Sequence, residues 1–285
     1  MIEMGPNRYG KSAIRLVKIV REPGRNRIRD LAVAVALEGD FVTAHSHGDN
    51  ARVIATDTMK NTVYAFAPEH LSGAIEAFAA VLARHFAAAP QVDRATVSIR
   101  EHRWAPIPTD AGPSPDAFLR IGDFTRTATV SATGATGAKS LSVEAGVEDL
   151  TVMKTARSAF SGFPRDELTT LPETDDRIMA TRVSATWRYG PTDLDWDAVH
   201  DGAMGTLLDV MAEHASLSVQ HSIWLIGRAM LERHAALDEV RMVLPNLHHW
   251  LIDLKPFGLD NPGEIFTATT EPHGLIEATV RRSDG

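Results

Sequence analysis

The sequence contains no cysteine among its 285 residues. This absence excludes disulfide bridges, cysteine-ligated zinc and catalysis by a thiol. It is also consistent with a reducing compartment. A chain of this length buries roughly 75% of its unfolded surface, so the fold requires no covalent or metal staple.

Long apolar runs and an excess of positive charge are absent as well. No apolar run approaches the length that crosses a bilayer. The N-terminal segment MIEMGPNRYGK has no apolar signal core, and the ending RRSDG has no Ser-Lys-Leu tripeptide. The 37 acidic residues outnumber the 29 basic residues and give a net charge of -8, which argues against a nucleic-acid partner. Together these features predict a cytoplasmic enzyme or binding protein with no membrane partner.

The hydrophobic pattern of the first half predicts two strands, helices, and two further strands. Residues 12–22 and 27–38 partly alternate and flank the turn signal PGRN, so they predict a β-hairpin. Residues 70–88 carry apolar side chains at helical spacing. Strand-like runs follow near 94–104 and 123–132.

The second half repeats this order and predicts a tandem α+β fold. Its predicted elements are strands at 148–155 and 182–189, helices at 195–217 and 220–237, and strands at 240–254 and 275–282. Thr-Asp pairs occur at 56–57 and 174–175 and suggest that the two halves are copies of one unit. The small-residue segment SATGATGAKS separates the halves, which predicts domains at 1–137 and 138–285. We expect antiparallel sheets with helices on one face, and their edges favour pairing with another subunit.

The segment ATDTMKNTVYAF contains the first candidate functional residues. Thr56 and Asp57 are predicted to begin a helix, where a Thr-Asp pair often serves only as a cap. Free backbone N–H groups at the same place also suit an anionic ligand. Lys11 begins a predicted strand and is either a solvated surface lysine or, if desolvated beside a hydroxyl, a proton-transfer group. The residues alone leave these alternatives open.

Residues 154–177 form a second candidate segment, because they are too polar for a core strand and long for a connection. Either Phe160 and Phe163 anchor an irregular loop, or the segment supplies an aromatic platform and, through Arg177, an arginine fork for a planar anion. Gln220 lies between two predicted helices and either caps one of them or offers its amide to a ligand.

The segment LPNLHHW places Asn246 and His248 on one face of a predicted strand. These side chains either decorate an edge strand or contact a ligand. A zinc site is a further alternative, since His45 and His47 would share a strand face and a histidine from 248–249 would complete three ligands.

Taken together, these segments resemble the cofactor-independent urate oxidase (uricase) family over nearly the whole chain. The resemblance rests on YGK at 9–11, ATDTMKNTVYAF at 55–66, FPRDELTTLPETDDRI at 163–178, VSATWRY at 183–189, LPNLHHW at 244–250 and DNPGEIF at 260–266. It implies a tandem of two tunnelling-fold units in a homotetramer. The sheets would close into barrels, and the active sites would lie at subunit interfaces.

The resemblance also implies an activity in purine catabolism. The family oxidises urate with O2 to 5-hydroxyisourate and hydrogen peroxide, without metal or organic cofactor. By resemblance, Lys11, Thr56 and His248 would be the catalytic proton-handling residues. The residues that would bind the substrate are Thr56, Asp57, Phe160, Arg177, Val219, Gln220 and Asn246.

The resemblance assigns these residues to different parts of the substrate. Arg177 would grip one edge of the six-membered ring, Gln220 would pair with the opposite edge, and Phe160 would stack beneath the purine. The Val219 backbone would add a contact, while Asn246 would hold oxygen or water above the ring. A further set, Lys11, Thr56 and Asp57, would face these groups from a neighbouring subunit.

Two alternatives to a urate oxidase stay open at this point. One is a zinc-dependent tunnelling-fold enzyme that acts on a pterin or another purine, and the other is a non-catalytic purine-binding relative. The chain departs from the family pattern at Leu247, where lysine is common. Strand alternation predicts that the Leu247 side chain points away from the ligand.

Overall fold

The computed structural model describes residues 2–134, 140–190 and 192–283. The chain forms two compact units, one of Met1–Gly146 with Arg188–His200, the other of Val147–Trp187 with Asp201–Gly285. Residue 137, the expected boundary, lies outside the described residues, so the domain limits stay a prediction. Within the described ranges no helix is long and apolar enough to span a membrane.

The first unit contains a four-stranded antiparallel arrangement in the order β1-β2-β3-β6. Its elements are β1 (Tyr9–Glu22), β2 (Arg25–Gly39), α1 (Val42–His47), α2 (Thr56–His70), α3 (Ile75–Ala87), β3 (Val92–His102), β4 (Trp104–Thr109), β5 (Gly112–Arg120) and β6 (Thr125–Thr133). The predicted hairpin and helix are present. The separate β4–β5 hairpin was not predicted, because prolines at 106, 108 and 113 obscure its alternation.

The second unit repeats the predicted order of two strands, two helices and two strands. Its elements are β7 (Ser140–Lys154), β8 (Met179–Tyr189), α4 (Trp196–Glu213), α5 (Val219–Arg233), β9 (Leu237–Leu251), a 3-10 turn (Lys255–Phe257) and β10 (Phe266–Arg281), of which β7, β8 and α4 each have residues in both units. The strand order is β7-β8-β9-β10.

The two Thr-Asp pairs do not occupy equivalent places in the two units. Thr56 is the first residue of α2, whereas Thr174 lies in an irregular segment and forms an isolated bridge with Phe160. The two copies therefore share the order of their elements but not this pair of residues.

Each unit is built by packing a helix with a 3.6-residue period on one face of strands with a two-residue period. In the first unit α3 packs on β3 and β6 through buried residues that include Phe78 and Leu82. Val97 of β3 and Val130 of β6 are direct partners in that sheet, and both are fully buried. In the second unit α5 packs on β9 and β10. A Cβ at Gly227 would lie 2.6 Å from Val280, so glycine permits this close approach.

A buried ion-pair network holds α3 to β6. The Arg126 guanidinium donates to both carboxylate oxygens of Glu76, at 2.9 and 3.1 Å, and to Asp197 at 2.7 Å. Glu76 is completely buried and Arg126 is 8% exposed. Burial is the largest influence on Glu76 and raises the pKa of its carboxyl, while the positive charge of Arg126 acts in the opposite direction.

We expect Arg126→Ala to lower the free energy of unfolding by about 3–5 kcal/mol, because it leaves the Glu76 carboxylate buried without its cation. Chemical denaturation of both proteins measures the difference. Arg228→Ala is the matched control, since Arg228 and Glu232 form a pair at 2.7 Å in which both side chains are 58% exposed. That change is expected to cost about 0–1 kcal/mol. Equal losses in the two variants would contradict the assigned role of the buried network.

Candidate active site

A cavity of about 380 Å³ opens in the second unit. It brings together the predicted catalytic residue His248 and five of the predicted binding residues, Phe160, Arg177, Val219, Gln220 and Asn246. The other lining residues are Leu171, Pro172, Thr174, Ile178, Leu247, His249, Trp250 and Ile276. All of them belong to the second unit. A charged group, amide groups and aromatic rings thus line one concave, mainly apolar cavity, as is typical of a small-molecule site.

Arg177 places a cation on this cavity. Its guanidinium carbon lies 5.2 Å from the centroid of the Phe160 ring, and the side chain is half-buried. Burial lowers the pKa of Arg177, although guanidinium groups stay charged in proteins. Within the described ranges its buried Nε has no hydrogen-bond partner, and no carboxylate lies within ion-pair distance. A desolvated cation of this kind favours an anionic ligand with paired acceptors.

The Phe160 platform and Arg177 are fixed by one set of hydrogen bonds. The Phe160 N–H donates to the Thr174 carbonyl at 2.8 Å, and the Thr174 N–H donates back at 3.1 Å. Nearby, the Asp176 carboxylate accepts from the Ser158 N–H at 3.3 Å. These bonds hold the segment that contains Phe160 beside the segment that contains Arg177, although neither segment is part of a regular strand there.

The first turn of α5 supplies the amide groups of the cavity. Ser218 is the N-cap, and its hydroxyl accepts from the His221 N–H at 3.1 Å. Val219 and Gln220 follow as the first helical residues, the former buried and the latter exposed. Helix N-termini carry free N–H groups and a partial positive charge. This turn therefore presents donors and a side-chain amide to the same cavity as Arg177.

The end of β9 lines the cavity less regularly than strand alternation predicts. All residues from Asn246 to Trp250 contribute to the lining, including Leu247, and the direction of its side chain stays a prediction. The register with β10 shifts between Thr269 and Gly274, opposite this stretch, and such an irregularity disturbs the pleat. The His248 ring stacks on Trp250 with centroids 5.3 Å apart.

The predicted residues of the first unit form a second group, and none of them lines this cavity. Thr56 begins α2 as predicted, but Ala55 is the N-cap and no side chain caps the helix. Asp57 instead accepts hydrogen bonds from Lys60 and, at 3.0 Å, from Asn61. In the part of the chain described, the Thr56 hydroxyl forms no hydrogen bond. The Thr56 side chain therefore does not cap the helix.

Lys11 lies at an irregular place in β1 and acts electrostatically on Asp57 in the first turn of α2. A Cβ at Gly10 would lie 1.9 Å from the Val35 carbonyl oxygen, so only glycine allows β1 to approach β2 here. The register shifts directly after Lys11. Lys60 is the main influence that lowers the pKa of Asp57, and the charge of Lys11 acts in the same direction.

The proposed histidine zinc site does not form as the sequence suggested. His45 and His47 lie on α1, a helix of six residues, and not on a strand, so residues two apart point to different sides. No group of three His, Cys, Asp or Glu side chains suited to a metal ion occurs among the described residues.

Several lining residues were not predicted. Leu171, Pro172 and Ile178 come from the irregular segment before β8, and Ile276 comes from β10. Irregular segments have no periodicity, so the sequence pattern gave no sign of their direction. For Trp250 a signal was present, because it lies two residues after His248 in the segment LPNLHHW and strand alternation places such residues on one face.

Fold and site together define an α+β protein of the tunnelling-fold class with a cavity suited to a flat anion. A family model described as Uricase matches residues 7–131 and 143–277. A uricase of Arthrobacter globiformis is 46% identical over 99% of this chain and 90% of its own length, and one of Aspergillus flavus is 35% identical over 97% and 96%. The crystal structure of the Arthrobacter globiformis uricase matches with a TM-score of 0.93 and 44% identity, covering 100% of this chain and 96% of that one. The chain belongs to the uricase family.

Proposed function

We propose that the chain catalyses the oxidation of urate by O2 and water to 5-hydroxyisourate and hydrogen peroxide, without metal or organic cofactor. Membership of the uricase family supports the reaction. The observation that carries the proposal is the half-buried Arg177 guanidinium, which has no carboxylate partner among the residues that the structure describes and lies over the Phe160 ring. Such a pair suits a planar anion that stacks on the ring and accepts two hydrogen bonds from the guanidinium.

The other groups of the cavity match the remaining edges of urate. The Gln220 amide offers both a donor and an acceptor to the opposite edge of the ring. The Val219 N–H is one of the free donors at the start of α5. In this proposal Asn246 and His248 hold oxygen or water above the ring plane.

Lys11 and Thr56 are assigned to proton transfer. A lysine amine near a hydroxyl lowers the free energy of ionising that hydroxyl, which can then accept a proton from urate. The Thr56 hydroxyl, which has no hydrogen bond within the described ranges, is free for this role, and the Thr56 and Asp57 N–H groups supply further donors. His248 completes the proton-transfer path.

The substrate itself supplies the electrons. Urate loses two electrons and two protons, which O2 accepts to form hydrogen peroxide. Water then adds to the oxidised ring, with its hydroxyl group at C5 and its remaining proton on a ring nitrogen, and gives 5-hydroxyisourate. The protein needs to bind the anion, orient it and move protons, and these steps use the residue types that the site contains.

The complete site is assigned to a homotetramer. Lys11 of the partner subunit, together with that subunit's Thr56 and Asp57, would face the cavity that contains Arg177. The strands β1 and β10 each lie at a sheet edge, where unpaired backbone groups favour association with another chain. Sheets joined in this way would close into barrels. A cytoplasmic location is part of the same proposal.

A spectrophotometric assay tests the reaction directly. We expect aerobic loss of the near-ultraviolet urate band, with one hydrogen peroxide formed per urate consumed, and no change in rate after treatment with a chelator. Loss of activity on chelation, restored by zinc, would favour a metal enzyme of the same fold. Binding of urate without turnover would instead make the protein a non-catalytic relative. Either outcome contradicts the proposed function.

A further inference from the structure

Ser216 lies at the junction of two segments that carry ring-binding groups. It is 1% exposed, in the connection between α4 and α5. Its N–H donates to the Arg157 carbonyl at 2.9 Å, and its carbonyl accepts from the Ala159 N–H at 2.7 Å. These backbone bonds fix the segment that leads into Phe160.

The Ser216 side chain reaches the second segment. Its hydroxyl lies 3.0 Å from the carbonyl oxygen of Ser218, the N-cap of α5, and 2.9 Å from the hydroxyl of Ser222. Ser222 is completely buried and lies 3.1 Å from the same Ser218 carbonyl. The oxygens of two buried hydroxyls therefore lie within hydrogen-bond distance of the carbonyl of the residue that directly precedes Val219 and Gln220.

His214 fixes the direction of these hydrogen bonds. Its Nδ1 lies 2.5 Å from the Val210 carbonyl, which can only accept, so the proton is on Nδ1. Its Nε2 then accepts the single proton of the Ser222 hydroxyl at 2.8 Å, which leaves the Ser216 hydroxyl as the donor to the Ser218 carbonyl or to the Ser222 oxygen. Burial lowers the pKa of His214 and so favours the neutral ring, although the hydrogen bond to the Val210 carbonyl acts in the opposite direction. We call Ser216, Ser222 and His214 the serine–histidine network.

We propose that the serine–histidine network sets the spacing between the Phe160 ring and the first turn of α5, and so positions the groups that hold the substrate ring. None of its three members lines the cavity. They act through the backbone of the residues that do, and are positioning residues. A flat ligand gripped at its face and its edge tolerates little displacement of either group. This inference rests on the proposed function, because urate is the ligand used to test it.

Ser216→Ala removes the hydroxyl and leaves the backbone bonds to Arg157 and Ala159 possible. We expect the Kd for urate, measured without oxygen, to rise about 5- to 30-fold, because one buried hydrogen bond that aligns the binding groups is lost. With saturating urate and oxygen, kcat is expected to stay within about twofold, since the proton-transfer groups are unchanged. A rise in Kd without a fall in kcat is a result that general destabilisation does not produce.

Thr206→Val is the matched control. The Thr206 hydroxyl lies 2.9 Å from His234 Nε2, and this bond joins α4 to the residue after α5 without reaching a segment that lines the cavity. Thr206 is buried as well, at 5% exposed. We expect both variants to unfold at lower temperature, but only Ser216→Ala to bind urate more weakly.

Two results would overturn the inference: wild-type affinity in Ser216→Ala, or an equal loss of affinity in Thr206→Val. If Ser216→Ala does not fold, Ser222→Ala breaks the same network and is judged by the same two results. Failure of the proposed function is distinguishable, because it appears as absence of turnover in the wild-type protein, whereas the network is judged by the ratio of two anaerobic Kd values.

Discussion

Lys11→Ala is expected to lower kcat for urate oxidation by about 10²- to 10⁴-fold, the usual contribution of a positioned proton-transfer group. The change removes the amine that we propose lowers the free energy of ionising the Thr56 hydroxyl. The Kd for urate under anaerobic conditions is expected to change by less than about threefold, because the ring is held by other residues. Steady-state kinetics and an anaerobic titration measure the two quantities.

Lys18→Ala is the control for the loss of a lysine from the same strand. Lys18 donates to the carbonyls of Ala67 and Pro68, at the opposite end of α2 from Thr56. We expect it to retain turnover within a few-fold. Wild-type turnover in Lys11→Ala, or an equal loss in Lys18→Ala, would remove Lys11 from the mechanism.

Arg177→Ala is expected to weaken urate binding by roughly one to two decades, which corresponds to about 1.5–3 kcal/mol for charged hydrogen bonds that are lost. The guanidinium is half-buried over Phe160 and has no carboxylate within ion-pair distance in the described ranges, so the substrate anion is the group it is expected to pair with. The anaerobic Kd for urate measures the effect. Because the interaction is made before the transition state, KM should rise more than kcat falls.

Arg165→Ala controls for the loss of an arginine from the same irregular segment. Its guanidinium carbon lies 5.7 Å from the Phe163 ring centroid, and the residue is exposed. We expect its Kd for urate to stay within about twofold of wild type. Unchanged affinity in Arg177→Ala would contradict the assignment of the anion-binding group.

The order of the elements was predictable from the sequence because it depends on local periodicity. The hairpin of β1 and β2 and the helices α3, α4 and α5 all have regular apolar spacing. The predicted first residues of the strands were less accurate. β10 begins at Phe266, well before the predicted residue 275, because most of its residues are exposed and show no alternation.

The residue types of the site were predictable, whereas their arrangement was not. Resemblance to a family identified Phe160, Arg177 and Gln220 by their segments, and the structure places them around one cavity. The helix start at Thr56 was predicted, but the absence of a capping hydrogen bond depends on backbone geometry. His45 and His47 were misassigned to a strand because a helix of six residues is too short to show a period.

Subunit mixing tests the central claim, that urate binds where Lys11 and Thr56 of one chain face Arg177 of another. Lys11→Ala and Arg177→Ala chains, each nearly inactive alone at low urate concentration, are co-expressed and purified as mixed oligomers. Random pairing across two-fold interfaces would restore about a quarter of the sites with both residues intact. The account predicts recovery of activity to about that fraction of wild type. Mixed oligomers no more active than the separate variants would show that each site is formed by one chain and would contradict it.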